Sequence, residues 1–153
     1  MANSYHQIYI HSFFVVKYRE AIIGKSWKDD MHRVIANLIS ESGCTSMIVN
    51  GVADHVHCLW GLIPSVPVSV IMQSTKARSS KWVNESRILK HRFEWQEGYG
   101  AFSYSKSQLE NVFRYIKNQK KHHQVQTFRD EYIQMLHKFG VDYDERYIFQ
   151  DPV

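Results

Sequence analysis

Two histidines one residue apart, His55 and His57, stand inside the run Asp54-His55-Val56-His57-Cys58-Leu59-Trp60. The run otherwise reads as a buried strand. Successive strand side chains point to opposite faces, so the two imidazoles share one face while Val56 and Cys58 point to the other. Imidazole is a common metal ligand, and two of them fixed side by side on a rigid strand make half of a metal site. A pair of satisfied strand histidines is the plainer reading, and the HxH spacing alone favours it.

A second group follows further along. Over Ser107 to about His123, at roughly 100° per residue, Leu109, Val112, Phe113 and Ile116 cluster on one side as a packing face. Gln108, Asn111, Tyr115, Gln119 and His122 form the adjacent stripe. Tyr115 and Gln119 are i and i+4, so their side chains stack on one flank. Lys117, Lys120 and Lys121 surround that stripe with positive charge. A tyrosine beside a core stripe is usually a packing residue, but packing does not require amides and an imidazole along its own flank.

Which elements position these groups follows from the rest of the pattern. Tyr5 to Lys17 reads as a first strand. A helix then opens at Lys25-Ser26-Trp27, with Ser26 and Asp29 in capping-box positions. Its apolar stripe runs Met31, Val34, Ile35, Leu38, Ile39, and Gly43 closes it. Cys44 to Val49 is a second strand. The return through the histidine strand, which reaches about Ile63, turns at Asn50-Gly51, or at Ala53-Asp54 with Gly51 in a bulge. Pro64 and Pro67 open a second helix with Val68, Ile71, Met72, Thr75 and Trp82 near one face. On it, Lys76, Arg78 and Lys81 offer donors suited to phosphate oxygens, against the bland reading of solvated surface.

A long connection, Asn84 to Gly98, leads to a fourth strand, Tyr99 to Ser105. Ser107 and Glu110 form a capping box for the tyrosine helix, and a last helix begins at Thr127 and closes at Gly140. Tyr143, Tyr147 and Phe149 make the end of the chain too apolar for a free tail. The order of elements matches an α+β, ferredoxin-like split βαβ plan. It has about four antiparallel strands, two helices on one face, C-terminal helices, and the other face or one end left for a ligand.

The 153 residues form a single domain, 1–153, in which 44% are hydrophobic and 22% charged, a globular rather than disordered balance. No apolar stretch is long enough to span a membrane, and the first residues lack a signal peptide's basic start. Cys44 and Cys58 read as reduced core thiols of a cytoplasmic protein. A net charge of +4 and a pI near 9.0 are compatible with nucleic acid without requiring it.

Taken together, these residues resemble the HUH single-tyrosine transposases, nucleases of the smallest bacterial and archaeal insertion sequences. The likeness rests on His55-Val56-His57 within DHVHCLW and on YIKNQKKHH from Tyr115 to His123. VVKYRE near the start and KARSSKW followed by FEWQEGYGAFSYSKS add to it. It runs over most of the chain in the right order. The resemblance implies Tyr115 as nucleophile and His55, His57 and Gln119 as ligands of Mg²⁺ or Mn²⁺. It also implies cleavage and rejoining of single-stranded, hairpin-containing DNA through a 5′-phosphotyrosine link, by a homodimer whose sites combine groups of one or both chains. Lys76, Arg78, Lys81, Lys117, Lys120, Lys121 and His122 are the candidate DNA contacts, and His122 and Lys120 the candidate activators of Tyr115. Two other readings compete: a non-catalytic hairpin-binding relative, and a metal-dependent phosphohydrolase that leaves Tyr115 structural.

Overall fold

The computed structural model describes residues 4–122 and 127–142, apart from the side chains of Arg19 and His122. Its elements run β1 (Tyr9–Val15), α1 (Lys28–Glu41), β2 (Thr45–Val52), β3 (His55–Gly61), α2 (Val68–Glu85) and β4 (Gly100–Tyr104). Then come α3 (Leu109–Lys117), α4 (Gln119–His122) and α5 (Phe128–Lys138). The strands form one sheet in the order β2-β3-β1-β4, antiparallel throughout. This is the expected split βαβ arrangement. Among the described residues no helix is long and apolar enough to cross a membrane.

Strand alternation splits the sheet into two unlike faces. On one, Ile10, Phe14, Val56, Cys58 and Trp60 pack with Met31, Ile35 and Ile39 of α1 and Ile71 and Met72 of α2. Within it the Trp60 indole donates to Ser12 Oγ at 3.0 Å and the Trp95 indole to Ser79 Oγ at 2.9 Å. The Asn84–Gly98 connection is part of this layer, since Phe93 and Trp95 are buried in the same cluster. On the other face stand His11, Phe13, Val15, His55, His57 and Leu59, all at most 1% exposed. That face is not left open: α3 lies over Leu59, and α5 lies over Phe13 and Val15.

Local details differ from the sequence reading where backbone geometry overrides a capping pattern. Trp27 occupies the cap of α1, which has no side-chain cap from Ser26. The capping box before the tyrosine helix uses Ser105 and Gln108 rather than Ser107 and Glu110. The β2–β3 turn falls after Val52, and Gly51 stays in register opposite Val56. A Cβ at Gly51 would overlap the His55 carbonyl, which is why a glycine sits at this close approach. The irregularity in β2 lies between Ser46 and Ile48 instead. Thr127 does cap the last helix, accepting from the Asp130 amide at 3.2 Å. Tyr143, Tyr147 and Phe149 lie outside the described residues.

Candidate active site

β3 delivers His55 and His57 to the mixed face, both fully buried. Each imidazole is oriented from behind. His55 Nδ1 lies 2.6 Å from Asp54 Oδ1. A carboxylate accepts, so Nδ1 carries a proton and Nε2 points inward, where the neutral form of the ring offers a lone pair. His57 Nδ1 lies 2.8 Å from Nε2 of His11 on β1. Burial, and secondarily the neighbouring His57, hold the His11 imidazole well below its usual range, so it is neutral near pH 7. Either ring can donate the proton of that bond, which holds the His57 ring with its Nε2 facing the site.

The tyrosine helix is shorter than the periodicity predicts. α3 ends at Lys117 and Asn118 breaks it, with φ −99° and ψ 25°. Asn50 of β2, read from the sequence only as a turn residue, donates from Nδ2 to the carbonyls of Ile116 at 2.9 Å and Lys117 at 3.1 Å. Those bonds satisfy carbonyls that a continuing helix would have used, and they tie the helix end to the strand beside His57. Val112 and Ile116 are buried as expected, whereas Phe113 is 37% exposed.

Beyond the break Gln119 turns into the interior, fully buried. Its Oε1 sits 3.3 Å from His55 Nε2, and its Nε2 donates to the Tyr115 carbonyl at 3.4 Å. Tyr115 lies against His57 and His11 of its own chain, its ring centroid 6.1 Å from that of His57 and 6.4 Å from that of His11. Burial, followed by the charge and hydrogen bond of Glu131, raises its phenol far above the ordinary range, while a hydrogen bond from Gln119 opposes the rise.

Glu131, from α5, was not singled out in the sequence. Its carboxylate is 2% exposed, and one oxygen lies 2.9 Å from His57 Nε2. The potential ligand atoms of His55, His57 and Glu131 all lie within 4.8 Å of one another. Phe128, one turn earlier on α5, stacks over His55 at a centroid distance of 4.3 Å. A glutamate on an amphipathic helix is usually solvated, and the only sequence signal was its i+3 spacing from the apolar Phe128.

A family model described as "Transposase IS200 like" matches residues 4–119. The chain belongs to that family. The matched segment holds His55, His57, Tyr115 and Gln119, while α5 with Glu131 lies beyond it. Two solved structures share the fold of this IS200-like chain. One is a candidate transposase from Deinococcus radiodurans R1, 18% identical with a TM-score of 0.63, covering 78% of this chain and 95% of its own. The other is a REP-associated tyrosine transposase bound to a REP hairpin, 13% identical with a TM-score of 0.60, covering 80% of this chain and 73% of its own. No curated protein matches the chain.

The donor set of this transposase family member suits a divalent cation. With Asp54 engaging its Nδ1, His55 turns Nε2 toward the Gln119 amide oxygen, and the Nε2 of His57 faces the Glu131 carboxylate. Acceptors facing acceptors repel unless an imidazolium or a shared cation lies between them. His57 Nε2 and a Glu131 oxygen are 2.9 Å apart, close enough for both to reach one ion. Two imidazoles, an amide oxygen and a carboxylate can hold a divalent cation and leave open positions for phosphate and water.

The basic candidates divide. Lys76, Arg78 and Lys81 ride on α2, across the sheet from Tyr115, and each has a protein partner. Lys76 Nζ donates to the carbonyls of Gln96 at 2.7 Å and Gly98 at 2.6 Å. Arg78 pairs with Glu41 at 3.0 Å and Lys81 with Glu85 at 3.7 Å. These three are not brought to the site. Lys117, Lys120 and Lys121 are exposed along the tyrosine helix and its extension. The side chain of His122 lies outside the described residues.

Proposed function

We propose that this transposase is a metal-dependent single-stranded DNA endonuclease and strand transferase that works through Tyr115. The observation that carries the reading is the convergence of Tyr115, Gln119 and Glu131 on the His55–His57 pair of one chain. His55, His57 and Gln119 would hold the cation, joined by Glu131. A divalent ion there supplies positive charge against the scissile phosphate.

The Tyr115 oxygen attacks phosphorus, forming a phosphotyrosine bond as the bond to the 3′ oxygen of the preceding nucleotide breaks. The phenol proton passes to a base, and Glu131, hydrogen-bonded to that hydroxyl, is placed to receive it. The leaving oxygen takes a proton and becomes a free 3′-OH. A buried phenol beside a carboxylate is a poor nucleophile, so cleavage depends on cationic charge entering the site. Because the covalent link stores the phosphodiester bond, rejoining to another 3′-OH needs no other energy source. Hairpin-bearing DNA is the proposed substrate, supported by the hairpin named for the REP-associated neighbour. A homodimer is supported by β2, an edge strand with Met47 38% exposed, and sedimentation checks it.

The test is a denaturing gel of labelled single-stranded DNA from the flanks of the encoding gene, with wild-type and Tyr115→Phe protein in Mn²⁺. Wild type gives a covalent adduct with a free 3′-OH, and Tyr115→Phe binds without forming it. Hairpin binding with no adduct from either protein would mark a non-catalytic relative. Turnover of nucleotide phosphoesters without an adduct would mark a phosphohydrolase.

A further inference from the structure

We propose that the cavity between α3 and α5, beside Tyr115, is the subsite for the unpaired nucleotide adjoining the scissile phosphate. This deepens the nuclease reading and rests on it. The cavity holds about 340 Å³ and is lined by Tyr104, Asn111, Tyr115, Glu131, Gln134 and Lys138, with apolar contributions from α3 and α5. That size is at the low end of ligand pockets. It suits a single nucleotide unit, not a duplex.

Its position follows from the chemistry. The histidines and Gln119 are fully buried, whereas Tyr115 and Glu131 border this cavity, so here solvent meets the nucleophile. A base is joined to the phosphate under attack through a single sugar. Once that phosphate reaches Tyr115, the neighbouring nucleotide has to occupy the adjoining space.

The walls are two helical stripes that face each other. Asn111 and Tyr115 are i and i+4 on α3, and Glu131, Gln134 and Lys138 are i, i+3 and i+7 on α5. The Asn111 amide, whose Oδ1 already accepts from Arg114 at 3.1 Å, keeps its N–H donors for a ligand, and the Gln134 amide lies on the other helix. Side-chain amides are the equipment that reads the edge of an unstacked base. Tyr104 adds an aromatic ring of the kind on which single-stranded bases stack, and burial pushes its phenol up to about 12, so it stays neutral. Lys138 stands where a flanking phosphate needs a cation. Glu131 at the inner end would repel a bare anion, which reserves that end for a phosphate bound together with the cation. The sequence shows none of this, because the two stripes belong to different helices.

The test is a series of single-stranded hairpin oligonucleotides in which one nucleotide at a time across the cleavage position is made abasic. Adduct formation by wild-type protein should fall about tenfold or more at one flanking position and less than twofold elsewhere in the unpaired strand. An Asn111→Ala/Gln134→Ala variant should lose a similar factor on intact DNA and nothing further on that abasic substrate. Uniform effects along the strand, or equal losses by the variant on intact and abasic DNA, would overturn the subsite. The abasic series needs no variant, so a misfolded double mutant leaves the proposal exposed to refutation. If wild type cuts no intact oligonucleotide, the nuclease reading fails by itself. The subsite is then judged by binding to Tyr115→Phe protein, which must weaken at one unpaired position only.

Discussion

The two faces of the sheet are buried to the same extent by different means. On β3, Val56, Cys58 and Trp60 point one way and His55, His57 and Leu59 the other, and all are fully buried. The first face is stabilised by removing apolar surface from water and needs only shape. The second carries imidazoles, an amide and a carboxylate, whose burial costs free energy unless every group finds a partner. Its partners come from four separate elements: His11 on β1, Asp54 before β3, Gln119 on α4 and Glu131 on α5. One face is a core that any well-sized apolar set could fill, and the other is a constellation that tolerates little.

The largest effect expected from breaking this contrast is at His57. His57→Ala removes a proposed ligand, and adduct formation should fall about a thousandfold or more, the several kcal/mol that a metal contributes to charge stabilisation. EDTA should do the same to wild type. Thermal melts separate this from instability. Mn²⁺ at a hundred times its Kd should stabilise wild type by about 2.7 kcal/mol and His57→Ala hardly at all.

On the opposite face, Phe14→Ala should cost roughly 3–5 kcal/mol of stability by leaving a cavity. The milder Phe14→Leu should melt lower than wild type yet keep its full Mn²⁺-dependent shift. A lost shift there would show that the faces are not independent. Glu131→Gln sharpens the comparison, since it keeps shape and removes charge. Mn²⁺ affinity, read by calorimetry, should weaken about 10-fold or more, at least the loss seen when only the partners behind metal ligands are changed. Unchanged affinity would leave Glu131 out of the ligand set.

An effect on stability alone lies away from the site, at His32 on α1. Burial, helped by the nearby Lys28, lowers its imidazole from 6.5 to about 4. The unfolded chain therefore takes up a proton below pH 6.5 that the folded chain refuses until about 4. Stability is lost as pH falls through that window, by at most about 3 kcal/mol. His32→Gln should flatten this part of the stability–pH curve in denaturant titrations.

Single-element periodicity made much of the molecule legible in advance. The strand–helix order, the shared face of His55 and His57, the Ile35–Ile39 stripe and the i, i+4 relation of Tyr115 and Gln119 all repeat at 2.0 or 3.6 residues. Each was readable without knowing what it packs against. Three features were not. Asn50 looked like a turn residue, yet from β2 it stops α3 and so turns Gln119 inward. Lys76, Arg78 and Lys81 offered donors suited to phosphate, and only the fold showed that they lie across the sheet from Tyr115, beside carbonyls and carboxylates. Glu131 was not singled out in the sequence, and docking of α5 over Phe13 carried it between His57 and Tyr115. Sequence alone determined which side chains share a face, because that is local backbone geometry. Only the tertiary structure decided which faces meet, because polar partners from distant elements are selected by their joint burial, a cost no single element carries alone.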